Sequence, residues 1–190
     1  MTTTQKKLTV AEFLALPEGD ITYELVEGQA VPKDKPMSPQ RFHASLQKRL
    51  LWLLETWCRT QEKGDVYTEL AIGLHRRGEP WFPVPDLTYV SFERWPEQWT
   101  TDGPCPVAPE LVVEVLSPSQ TFGDMAQKAV DYLEAGVNRV WIVDPAAKTI
   151  TVFYPDRPPR TFRDTQSLSD ELLPGLTVIP QEVFAQARIP

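Results

Sequence analysis

The segment Leu111-Val112-Val113-Glu114-Val115-Leu116 constrains the fold more than any other part of the chain. It is apolar on both faces except at Glu114, as a strand is when it lies inside a sheet covered on either side. Pro118 ends it. A helix is expected from about Phe122 to Glu134, with Gly136 placed to close it, and Val140-Trp141-Ile142-Val143 is a second central strand. Strand, helix and strand in that order imply a parallel, right-handed crossover. Asp144-Pro145 then turns into 150–154, an antiparallel hairpin partner. The class is α/β, with a central mixed sheet flanked by helices.

Upstream, Thr9 and Glu12 have the spacing of a capping box, so a short helix is expected over 9–16, stopped by Pro17 and Gly19. Tyr23-Glu24-Leu25-Val26 reads as a strand, Glu27-Gly28 as a turn and Ala30-Val31 as its return. Ser38 is a candidate cap for a longer helix, with Pro39 at its first helical position and Met37 and Phe42 at staple spacing. Phe42, Leu46, Leu50, Leu53, Leu54 and Trp57 give that helix one buried face, to about Gln61. Strands are expected at 66–74 and 86–91, with His75-Arg76-Arg77-Gly78 as a loop between them. Beyond 154 the chain reads as Pro- and Arg-rich loop, a short strand near Leu176 and a terminal helix near 181–187.

The 190 residues favour one domain, 1–190. The net charge of −7 argues against a generic, tight nucleic-acid binder. The charge is unevenly spread, however. Lys33, Lys35, Arg41, Lys48 and Arg49 stand against Asp34 alone, and Arg157, Arg160 and Arg163 have no acid among them. Nucleic-acid binding is therefore expected to be local, modest and salt-dependent. Two cysteines, Cys58 and Cys105, give no disulfide framework and fit a reducing compartment. No apolar run approaches the roughly 18 residues of a membrane span, and the first ten residues lack a signal-type apolar core. A soluble, cytoplasmic protein is expected.

Three side chains carry the chemical argument. Glu114 alternates onto the face of Val112 and Leu116, where a carboxylate is costly unless a metal, a cation or hydrogen bonds compensate it. It is either a structural Glu paired with Arg or Lys, or a site residue. Asp86, after Val84-Pro85, is either a turn residue or, with Glu114 from a neighbouring strand, a ligand for a hard cation such as Mg²⁺. Lys128 lies at the edge of the stripe Met125, Ala129, Tyr132 and Leu133. It either pairs with Asp124 four residues back or reaches inward from a helix packed on the sheet.

Pro85-Asp86, Glu114-Val115-Leu116-Ser117-Pro118-Ser119, Asp124, Lys128, Tyr132, Gly136-Val137 and Trp141-Ile142-Val143-Asp144-Pro145 occur in an order that resembles the Uma-two family. These are bacterial proteins with a restriction-endonuclease-like fold. Tyr23-Glu24-Leu25-Val26-Glu27-Gly28, His43 and Leu173-Pro174-Gly175-Leu176 add to the likeness, which spans about 8–186. The resemblance implies a PD-(D/E)xK site with Asp86, Glu114 and Lys128 as catalytic residues. Asp86, Glu114 and the Val115 backbone carbonyl would hold Mg²⁺, for which Mn²⁺ would substitute, and Glu24 would complete the shell. As a bland alternative, Glu24 caps or salt-bridges within the first hairpin. The usual lysine two residues after Glu114 is replaced by Leu116, and the family's lysine lies on the following helix, at Lys128.

The expected function is metal-dependent hydrolysis of DNA phosphodiester bonds, with Lys33, Lys35, Arg41, His43, Arg76 and Arg77 as the weaker candidates for contacting DNA. His43 is also readable as a packed helix residue, 75–77 as a solvated loop, and Ser117 as the start of a turn with Pro118. The alternative function is an inactive nuclease-fold protein that binds without turnover. A homodimer through aromatics around Trp81, Trp95 and Trp99 is a further expectation.

Overall fold

A computed structural model of the chain describes residues 7–17, 19, 21–33, 41–96, 99–100 and 102–190. The Thr9 hydroxyl accepts from the Glu12 amide while the Glu12 carboxylate accepts from the Thr9 amide, so the capping box forms and starts α1 (Val10–Leu14). The strands β1 (Tyr23–Val26) and β2 (Gln29–Pro32) follow as an antiparallel hairpin around Glu27-Gly28. The proposed cap at Ser38, with Met37 and Pro39, lies outside the described residues.

Helix α2 (Arg41–Gln61) buries Leu46, Leu50, Leu54, Trp57 and Cys58. Phe42 is not part of that stripe: it is exposed, with the Arg41 guanidinium 5.1 Å from its ring centre. The buried face therefore starts one turn later than the spacing implies. Leu53 packs against the core only partly buried.

The central sheet has six strands in the order β10-β9-β8-β7-β6-β3. They are β3 (Gly64–Thr68), β6 (Leu87–Ser91), β7 (Leu111–Val115), β8 (Arg139–Asp144), β9 (Thr149–Phe153) and β10 (Arg160–Arg163). Strands β7 and β8 are parallel, joined by helix α3 (Phe122–Glu134), and every other neighbouring pair is antiparallel. Thr121 caps α3 by accepting from the Asp124 amide.

Alternation along β7 sorts its side chains. Leu111, Val113 and Val115 join a core formed with α2 and the C-terminal residues, whereas Val112 joins Met125, Ala129 and Tyr132 of α3. Glu114 shares the α3 face. The C-terminal helix α4 (Pro180–Gln186) closes the α2 side.

Three expectations are corrected. The strand expected at 66–74 is broken, because the chain leaves the sheet after Thr68 and re-forms as β4 (Leu74–Arg76). Residues 75–78 are not a loop: β4 and β5 (Glu79–Trp81) make a hairpin whose turn, Arg77-Gly78, has φ of 52° and 82°. Two successive left-handed residues suit a two-residue hairpin turn. Third, the Arg-rich stretch contains the edge strand β10, while the strand near Leu176 reduces to a single bridge between Leu168 and Val178.

Among the aromatics, Trp81 is 2% exposed and packs its ring 4.8 Å from that of Tyr132, so it belongs to the core. Trp95 and Trp99 lie against each other at 4.5 Å and beside Tyr67. No helix among the described residues is long and apolar enough to cross a membrane.

Candidate active site

Asp86 follows Pro85 and directly precedes β6, and it is 1% exposed. The β6–β7 ladder pairs Leu87 with Val113. Past that pair the Asp86 carboxylate takes over as acceptor, receiving the Val115 amide on Oδ2 at 2.7 Å. The amide and carbonyl of one strand residue lie on the same edge, so the Val115 carbonyl also faces Asp86. His43 donates from Nε2 to Asp86 Oδ2 at 3.1 Å, and Lys33 donates to Oδ1 at 2.9 Å. Burial opposes ionisation of Asp86. His43, Lys33 and the Val115 amide outweigh it and hold the carboxyl down at about 2.

Glu114 is fully packed between β7 and α3. Tyr132 donates to its Oε1 at 2.9 Å, and Lys128 Nζ lies 3.0 Å from the same atom. Lys128 also donates to Glu24 Oε1 at 2.9 Å, and Glu24 accepts the Val84 amide at 3.0 Å. Glu24 therefore reaches out of its hairpin into the site. Burial pushes the Glu114 carboxyl up, the negative charges of Asp86 and Glu24 add to this, and Lys128 and Lys33 only partly oppose it, leaving it at about 7. Burial alone would lower Lys128, but Glu114 and Glu24 hold its ammonium above the usual range.

The alternative pairing of Lys128 with Asp124 gives way: the Asp124 carboxylate accepts from the Thr121 hydroxyl, and the lysine turns inward. The structure thus joins Asp86, Val115, Glu114, Lys128 and Glu24 in one cluster at the ends of β6 and β7.

Two members, Glu69 and Gln47, were not among the candidate residues, and Lys33 was a candidate only for contacting DNA. Lys33 is drawn into the cluster at Asp86. Glu69, just after β3, takes the Lys33 amine on Oε2 and the Gln47 side-chain amide on Oε1 at 2.9 Å. Gln47 also reaches the Asp86 carbonyl at 3.2 Å. His43 and Gln47 are four residues apart on α2, so they share a face, and that spacing was the available signal. Elsewhere, Arg41 donates to the Arg188 carbonyl, and Arg76 lies 2.9 Å from the buried Asp131 of α3. Arg77 stands in the hairpin turn, and Lys35 lies outside the described residues.

No three of the described His, Cys, Asp and Glu side chains converge on one metal-sized point. Instead there are two carboxylate pairs, Glu24 with Glu114 and Asp86 with Glu69, each bridged by a lysine. Four carboxylates against two ammonium groups leave an excess of negative charge. Carboxylate and backbone carbonyl oxygens are the donors a hard divalent cation prefers, so the residues present suit Mg²⁺ in type.

The mixed six-stranded sheet with helices on both faces has the architecture of a restriction-endonuclease-like fold. A family model described as "Putative restriction endonuclease" matches residues 10–182, and the chain belongs to that family, Uma2. Among solved structures, a "putative nuclease belonging to DUF820" from Anabaena variabilis superposes with a TM-score of 0.80. It is 22% identical, and the match covers 95% of this chain and 99% of the other. At that identity the likeness is one of fold. No match is found among curated proteins.

Proposed function

We propose that the chain is a divalent-metal-dependent nuclease that hydrolyses DNA phosphodiester bonds at the Asp86–Glu114–Lys128 cluster, in the cytoplasm. The observation that carries this is the placement of Lys128. Leu116 occupies the customary lysine position, yet an amine arrives 3.0 Å from Glu114 from the neighbouring helix. Asp86, Glu114 and the Val115 carbonyl would hold Mg²⁺ or Mn²⁺, with Glu24 beside them. When bound, the metal supplies polarisation of a phosphoryl oxygen and acidification of a water molecule.

The remaining chemistry belongs to the chain itself. Lys128 stays protonated, so it acts as a hydrogen-bond donor and a positive charge, not as a base. It orients the attacking water and offsets negative charge growing on the phosphoryl oxygens. Tyr132 fixes Glu114, and His43 with the Val115 amide fixes Asp86. Purified protein should nick plasmid or cut single-stranded DNA with Mg²⁺ or Mn²⁺, stop in EDTA, and lose activity in Asp86→Asn and Glu114→Gln. Equal, metal-independent background cleavage by wild type and both variants would refute the proposal.

A second reading has one observation behind it. Both carboxylate pairs are bridged by lysines, which supply internal counter-charge as suits an inactive nuclease-fold binding protein. Calorimetric titration with Mn²⁺ separates the two. Binding abolished by Asp86→Asn supports the nuclease, and no binding at millimolar metal supports the scaffold.

A further inference from the structure

Lys33 follows directly on β2, and its amide donates to the Thr22 carbonyl at 2.9 Å, which pins the backbone at that point. Its side chain is only 10% exposed, and its ammonium spans Asp86 Oδ1 and Glu69 Oε2. Glu69 is the outer partner, with its side chain 43% exposed, and Asp86 the inner one. An ammonium donating to Oδ1 occupies one of that oxygen's two lone pairs and puts a positive charge where a cation would sit. The other oxygen, Oδ2, is already taken by His43 and the Val115 amide.

We propose that Lys33 is an internal counter-ion that a divalent cation must displace from Asp86, with Glu69 as the outer carboxylate toward which the amine withdraws. Lys33 thereby sets the metal concentration at which the cluster fills, and it keeps Asp86 ionised and in place until then. This rests on the reading of the cluster as a metal site. The physical basis is competition: an ammonium and a divalent cation held on one carboxylate oxygen repel each other at short range, so removing the ammonium favours the metal.

Two measurements test it. The first is calorimetric titration of wild type and Lys33→Met with Mn²⁺, each checked for folding by circular dichroism. The variant should bind about tenfold tighter or more. The second needs no variant: reductive methylation of lysines, read by mass spectrometry with and without Mg²⁺. Labelling of Lys33 should rise severalfold on metal addition, while Lys128 stays protected.

Equal or weaker Mn²⁺ binding by a folded Lys33→Met, or Lys33 labelling unchanged where wild type binds metal, overturns the proposal and leaves the metal site standing. Absence of Mn²⁺ binding in both wild type and variant overturns the underlying reading as well. Binding by the variant alone supports the counter-ion role outright.

Discussion

Lys128 of α3 sets its ammonium 3.0 Å from Glu114 Oε1 of β7, across the crossover that links the two central parallel strands. The Tyr132 hydroxyl, one helical turn beyond Lys128, donates to the same oxygen. Helix and strand are thus locked at the point where the chemistry is proposed, and the arrangement can be probed from either side.

Truncating the amine should separate its structural and chemical roles. Lys128→Met leaves Glu24 and Glu114 buried without their cation, which should cost about 3 kcal/mol of stability in EDTA. Added Mg²⁺ should restore part of that loss, because a divalent cation can neutralise the same carboxylates. Cleavage should stay at least about a hundredfold down even with Mg²⁺, since the donor to the water is missing. Chemical denaturation and cleavage assays, run in parallel with and without metal, check both statements.

The pH dependence of stability should carry the signature of Glu114. Its carboxyl stands at about 7, against an ordinary value of 4.5. Between those values the folded chain holds a proton that the unfolded chain has lost, so stability falls as pH rises through that window. Glu114→Gln cannot ionise and should lack this slope. In EDTA, wild type should lose on the order of 2 kcal/mol relative to the variant between pH 5 and 8. Asp86 runs the other way: held at about 2, it contributes stability present above the ordinary 3.8 and lost as pH falls toward 2. Urea midpoints across the pH range check both signs.

Much of this site was legible in the sequence, because its parts lie on strong local signals. Glu114 interrupts an apolar strand, and Lys128 sits at the edge of a helical stripe, so each announces itself by position. The C-terminal end of α2 and both ends of α3 followed from periodicity and end signals, and the capping box at Thr9 and Glu12 forms as its spacing implies. The meeting of Lys33 with Glu69 was hidden because tertiary structure alone brings the end of β2 to the end of β3. The β4–β5 hairpin was missed although Arg77-Gly78 is a usable turn signal, since its strands are short and one contains Pro80. Strand β10 was masked by its own arginines, which suit a sheet edge.

The β4–β5 hairpin also bears on α3. Arg76 and the buried Asp131 form an ion pair at 2.9 Å, and Trp81 packs on Tyr132. Arg76→Ala leaves the Asp131 carboxylate without its cation and should destabilise the fold by about 3 kcal/mol. Replacing both residues by leucine should recover most of that loss, because the desolvation cost then disappears from both sides. Thermal melts of the single and double variants give the comparison.

DNA binding, where it occurs, should rest on a few phosphate contacts against an overall net charge of −7. The logarithm of affinity should fall with the logarithm of salt at a slope of about −2 to −4, shallower than for a basic DNA-binding domain. Fluorescence anisotropy with a labelled duplex, at several salt concentrations and with Ca²⁺ to hold cleavage off, measures it. A slope near zero would exclude phosphate-driven binding.

The central claim is that Asp86 and Glu114 share a divalent cation under the reach of Lys128. Anomalous diffraction from a crystal of the protein soaked in Mn²⁺ tests this most directly. A peak bonded to Asp86, Glu114 and the Val115 carbonyl is expected, with Lys33 withdrawn from Asp86 and Lys128 still beside Glu114. A soaked crystal with no peak there, and both lysines still bridging their carboxylate pairs, would contradict it.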